Sequence, residues 1–143
     1  MFGELPSVYR GRMSIVVAYT PDPAGQSALD WGIAEAKLRG TDLIVVNATR
    51  GVARIDPRLA GSSEVRDVDE VLGAAGIEHS IVQPTGPDVV DLVLAEVERA
   101  GADLLVLGLR RRTPVGKLIM GSTSQRLLLD SPVPVFAVHP GPA

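Results

Sequence analysis

The chain predicts an α/β fold: a five-stranded parallel sheet with helices on both faces. Three observations predict it. Five short runs of apolar, mostly branched residues are spread along the 143 residues, four stretches with helical apolar spacing separate them, and the two kinds strictly alternate. Strands buried on both faces read as near-continuous apolar runs. Parallel strands also need a helical crossover between them, so the alternation implies successive β-α-β units.

Each element follows from local sequence. Ile15 to Tyr19 (IVVAY) predicts the first strand, and TPDPAG after it a turn. Gln26 to Arg39 carries Ala28, Leu29, Ile33, Ala34 and Leu38 at helical spacing, with Gly40 as the stop. Leu43 to Val46 predicts the second strand. Residues 51–63 (GVARIDPRLAGSS), with their Gly, Pro and Ser, predict irregular chain. Glu64 to Ala75 places Val65, Val68, Val71 and Leu72 on one helical face and ends at Gly76; His79 to Val82 is the third strand. Pro87 to Ala100 predicts an amphipathic helix, with Pro87 near its first turn and Gly101 past its end. Leu104 to Leu107, Ser122 to Leu129 and Val133 to Val138 close the chain as strand, helix and strand. Residues 1–12 are expected to form a flexible leader and residues 13–140 a single domain without internal repeats.

Composition narrows the function. Apolar residues make up 45% and charged residues 22%, as in an ordinary soluble globular domain. A net charge of −3 and 3% aromatics leave neither the general basic surface nor the stacking platforms that a nucleic-acid partner requires. No apolar run approaches the roughly 18 residues of a membrane helix, and MFGELPSVYRGR lacks the apolar core of a signal peptide, so no membrane partner is expected. Cysteine is absent, which excludes disulfides, thiolate chemistry and Cys-based metal sites and agrees with a cytoplasmic location.

Residues 103–138 carry the functional signal. An apolar run ends at Gly108, a loop with Arg110, Arg111, Arg112 and Lys117 follows without any acid, and Gly121-Ser122 opens a helix. This order places backbone N–H groups and positive charge where a phosphate can sit. Ligands of doubly wound sheets bind outside the carboxyl ends of the strands, which adds Thr20 to Asp22, Asn47 and Ala48 to the candidates. Gly108 is there either for close approach of a ligand or for a turn needing positive φ. Ser122 to Ser124 offer free N–H groups, a helix dipole and hydroxyls to an anion; a plain N-cap is the simpler alternative.

The arginines admit several roles. Guanidinium forks can grip phosphate, the side chain at 111 can fill a ribose site, or the loop tip can be merely solvated. Lys117 is followed by Leu118, so no Walker-type loop is present. His79 and His139 lack metal-ligand spacing, and helix-start acids such as Asp88 complement the dipole. No Gly-x-Ser-x-Gly elbow or other nucleophile motif occurs, so neither a catalytic nor a metal-binding residue is assigned.

Gly108-Leu-Arg-Arg111, nine residues, then Gly121-Ser122 resembles the Gly-x2-Gly-x9-Gly-(Ser/Thr) motif of the nucleotide-binding universal stress proteins, with Arg111 where the motif has its second glycine. The opening IVVAYTPDPAGQSALDWG and the closing SPVPVFAV are also similar to that family, over nearly all of residues 13–139. The resemblance implies phosphate and ribose contacts at Gly108, Gly121 and Ser122 and a further phosphate contact at Ser124. It places Thr20 where these nucleotide binders commonly carry an aspartate near adenine, with Asp22 two residues on. A ligand would then cross the ends of strands one, two and four, with Thr20 and Asn47 toward the base, Asp22 nearby, and Arg110 and Arg111 in the basic loop. The implied ligand is ATP or AMP, with magnesium accompanying ATP. The implied assembly is a homodimer through Val133–Val138, which would cover an apolar edge strand. The expected function is a non-catalytic stress sensor or regulator. The alternative is a dimeric interaction protein whose nucleotide pocket is blocked or repurposed by Arg111 and which engages a protein partner that the sequence does not identify.

Overall fold

The computed structural model describes residues 14–51, 56–110 and 120–140; Arg111, Arg112, Lys117 and the leader lie outside them. The elements run β1 (Ser14–Ala18), α1 (Pro23–Arg39), β2 (Asp42–Val46), α2 (Ser62–Ala74), β3 (His79–Val82), α3 (Val89–Ala100), β4 (Leu104–Gly108), α4 (Ser122–Asp130) and β5 (Val135–Val138). All neighbouring strands pair in parallel, in the order β3-β2-β1-β4-β5. The expected five-stranded α/β sheet is therefore the fold.

Side chains alternate across each strand, and both faces are apolar. Ile15, Val17, Leu43, Val45, Leu104 and Val106 meet Leu29 and Ala36 of α1 and Leu72 of α2. On the other face, Val16, Val46, Leu105 and Leu107 meet Val90, Val93 and Val97 of α3 and Leu127 of α4. This two-sided burial explains why the central strands show no polar alternation in sequence.

Element ends differ from the sequence expectation where polar side chains take over the backbone groups. Helix α1 begins at Pro23, inside the predicted turn, because the Asp22 carboxylate caps it by accepting from the Gly25 N–H at 2.8 Å. Proline is well placed in a first turn, where its missing N–H costs no bond. Helix α3 begins at Val89, after Pro87, because Asp88 accepts from the N–H groups of Val90 and Asp91. Strand β5 starts at Val135 rather than Val133. The Ser131 hydroxyl donates to the Val133 carbonyl and accepts its N–H, which holds that residue in a turn.

From β1 the chain winds outward to β2 and β3, then returns across the sheet to β4 and β5. The winding reverses between β1 and β4, and loops leaving the carboxyl ends of those strands diverge to opposite faces, opening a crevice.

Candidate functional site

A cleft of about 380 Å³ lies at that reversal, inside the range of roughly 300–1,000 Å³ usual for small-ligand sites. Its base is apolar: Ala18, Val46, Ala48 and Leu107 at the strand ends, Val89 and Val93 of α3, and Leu127 of α4. Its polar lining comes from Thr20, Asp22, Arg58, Arg110 and the run Gly121-Ser122-Thr123-Ser124. A flat apolar body with an anionic end would fit this distribution.

The start of α4 forms the anion-favouring wall. Gly121 is its N-cap in extended backbone (φ −69°, ψ 163°), no side chain caps the helix, and no acid stands in its first turn. Its first N–H groups and the hydroxyls of Ser122, Thr123 and Ser124 have no hydrogen-bond partner among the described residues. Unpaired N–H groups at a helix start carry about half a positive charge.

Of the residues singled out from sequence, Thr20, Asp22, Gly108, Arg110, Gly121, Ser122 and Ser124 all line the cleft. Asp22 is partly committed: one oxygen accepts from both the Thr20 hydroxyl and the Gly25 N–H, each at 2.8 Å. With its proton given to Asp22, the Thr20 hydroxyl keeps only acceptor capacity. Arg110 is exposed. Arg111 lies outside the described residues.

Two assignments change. Gly108 is not in a positive-φ turn. A Cβ there would sit 1.9 Å from the Ala24 carbonyl oxygen, so the glycine lets the start of α1 close onto β4. Asn47 does not line the cleft, and its amide has nothing left for a base. Its nitrogen donates to the carbonyls of Tyr19 (2.9 Å) and Arg58 (2.6 Å), and its oxygen accepts from the Ala60 N–H (2.8 Å) and the Gln83 amide (3.1 Å). Two donors and two acceptors exhaust an asparagine side chain. At 1% exposure it is a buried clamp that fastens residues 58–60 to the strand ends.

Sequence reasoning missed Arg58, which the clamp brings to the cleft from the segment expected to be irregular. Asp56 helps hold it there: its carboxylate accepts from the Arg58 N–H at 2.9 Å, and that bond, ahead of an opposing burial effect, keeps the Asp56 carboxyl below its usual range. The signal was the Asp56-Pro57 turn pair, an Asx turn in the making.

The helix starts on the α3–α4 face are tied to each other. Arg126 of α4 reaches both oxygens of Asp88, at 3.1 and 2.8 Å. This pair, more than the N-cap bonds, holds the Asp88 carboxyl below the usual carboxylate value.

The molecule thus combines an open α/β sheet, an apolar crevice and an uncapped helix start. The family model of the universal stress protein family matches residues 11–139, and the chain belongs to that family. A universal stress protein of Mycolicibacterium smegmatis is 50% identical over 126 residues, covering 88% of this chain and 97% of that one. Among solved structures, a universal stress protein from Archaeoglobus fulgidus superposes with a TM-score of 0.73 at 22% identity, covering 88% of this chain and 97% of that one. The Archaeoglobus fulgidus universal stress protein in complex with dAMP gives 0.66 at 18% identity, covering 88% and 96%. These two structures share the fold.

Proposed function

We propose that the cleft binds an adenine nucleotide, AMP or ATP, or a related phosphate ligand, and that binding makes the protein a stress-linked sensor without a catalytic step of its own. The observation that carries this most is the contrast among helix starts. Helices α1 and α3 begin with aspartate caps and α2 has Glu64 accepting from the Gly61 N–H, whereas α4 has no carboxylate at its start. A phosphate there would accept the bonds that a carboxylate accepts elsewhere. The apolar base beside it suits a purine, and a family member of the same fold is known with dAMP. Among the described residues no group of three His, Asp or Glu could hold a metal, so magnesium would arrive on the phosphates of ATP.

Thermal unfolding with and without millimolar AMP, and ATP with and without magnesium, tests this. At 100 times its dissociation constant a ligand of the folded state adds about 2.7 kcal/mol. Gly121→Val should abolish the shift while leaving the apo protein folded, because a Cβ at Gly121 meets nothing within 4 Å. No shift with any nucleotide would overturn the proposal and favour a pocket filled by Arg111 and a protein ligand instead.

We also infer a cytoplasmic homodimer through the Val133–Val138 segment. Among the described residues strand β5 is a sheet edge paired only with β4, its residues are all half-exposed, and Leu128 and Leu129 of the adjoining helix are exposed. Unpaired apolar edges invite pairing with a second copy. A monomeric mass in sedimentation at micromolar concentration would rule it out.

A further inference from the structure

We propose that Arg58 is the residue that grips the base of the bound nucleotide, stacking its guanidinium on the ring, and that Asn47 is the positioning residue that holds it in place. This rests on the nucleotide-binding function proposed above and adds to it a residue and a role.

Three observations carry it. The first is location. Arg58 leaves from the loop after β2, whereas Gly121 to Ser124 follow β4, and these strands lie on opposite sides of β1. Arg58 therefore stands at the far end of the cleft from the phosphate wall, beside Val46, Ala48 and Pro57. Apolar surface at that end receives a flat ring, not an anion. The second is availability. Arg58 is half-buried, yet its guanidinium makes no hydrogen bond or ion pair with any described residue. A guanidinium is planar and weakly hydrated, and stacks on π faces.

The third is the clamp. Asn47 spends its whole hydrogen-bonding capacity on Tyr19, Arg58, Ala60 and Gln83, and Asp56 fixes the Arg58 N–H. A buried polar network of this kind restricts its members to one arrangement. Here the arrangement fixes the Arg58 backbone at the cleft wall, and the side chain extends from a held point. At the β1 end Thr20 spends its hydroxyl proton on Asp22, so these two side chains offer acceptor oxygens, and a stacked cation supplies a hold on the ring of a different kind.

Calorimetric titration of the full chain with AMP and with ribose 5-phosphate, which lacks the base, tests the assignment. Arg58→Ala should weaken AMP roughly tenfold and leave ribose 5-phosphate unchanged. Arg58→Lys should recover little, since an ammonium has no plane to stack. Asn47→Ala, measured where circular dichroism shows it folded, should weaken AMP without affecting ribose 5-phosphate, and should add nothing to Arg58→Ala, as expected of a residue acting through Arg58. Equal loss of both ligands would place Arg58 on the phosphate and overturn the proposal. Unchanged AMP affinity would overturn it too, while leaving nucleotide binding intact. Failure of the wild type to bind either ligand would sink nucleotide binding itself, and the Arg58 assignment with it.

Discussion

Helices α3 and α4 start at the same end of the sheet and on the same face, yet they treat their free N–H groups in opposite ways. Asp88 fills the start of α3, and Arg126 in turn neutralises Asp88. Gly121 leaves the start of α4 open, with three hydroxyl residues behind it and no acid. A helix that serves only the fold is closed by its own side chains, because unpaired N–H groups cost stability. An open start beside an apolar cleft is stability left unclaimed, and a ligand can claim it. The two glycines of the site repeat the lesson. Gly108 is required by the protein itself, since the Ala24 carbonyl occupies the space of a side chain, while Gly121 has open space before it.

The largest effect should come from Gly108→Ala. Its methyl group would collide with backbone that cannot rotate away, at a cost of about 3 kcal/mol or more in urea unfolding. A loss under 1 kcal/mol would mean that α1 can move off β4 freely.

Next is Gly121→Asp, which turns the start of α4 into a copy of the start of α3. It should hold or slightly raise apo stability, since aspartate caps about as well as or better than glycine and favours the dipole. It should also weaken AMP by about 100-fold through repulsion and occupation of the N–H groups. Retained affinity, read by calorimetry, would separate the phosphate site from this helix.

The smallest effect lies at α3. The Asp88 carboxyl titrates below its usual 3.8, chiefly because of Arg126. A depressed carboxylate stabilises the fold above its unfolded value, and that contribution disappears as pH falls through the folded value. Asp88→Asn should therefore lower the melting temperature by a few degrees at neutral pH and converge with wild type in acid below pH 3.8. A difference that persists in acid would show that shape, and not charge, is what Asp88 contributes.

Much of this was legible in the chain. The strands announced themselves because a sheet covered on both faces needs apolar side chains at every position, as in Ile15 to Val17 and Leu104 to Leu107. Helix stops were equally local: Gly40 and Gly101 adopt the left-handed backbone that ends α1 and α3. That Gly108, Gly121 and Ser122 line one cleft was visible in their spacing, because a strand-loop-helix unit delivers the helix start through local geometry alone. Helix beginnings were less legible. Asp22 and Asp88 cap only once the chain has bent to bring a carboxylate over N–H groups two or three residues on.

What sequence alone determined is the alternation of buried strands and helices, and with it the end of the sheet where the cleft opens. Those properties depend on neighbours within one turn or one strand. The tertiary structure decided the uses of single polar residues and glycines. Asn47 became a clamp because Tyr19, Arg58, Ala60 and Gln83 converge on it, and Gly108 became indispensable because α1 lands on it. Arg58 reached the cleft because that clamp drew its loop over the strand ends. Each of these roles belongs to a contact between residues far apart in the chain, and such contacts exist only after the sheet has ordered its strands.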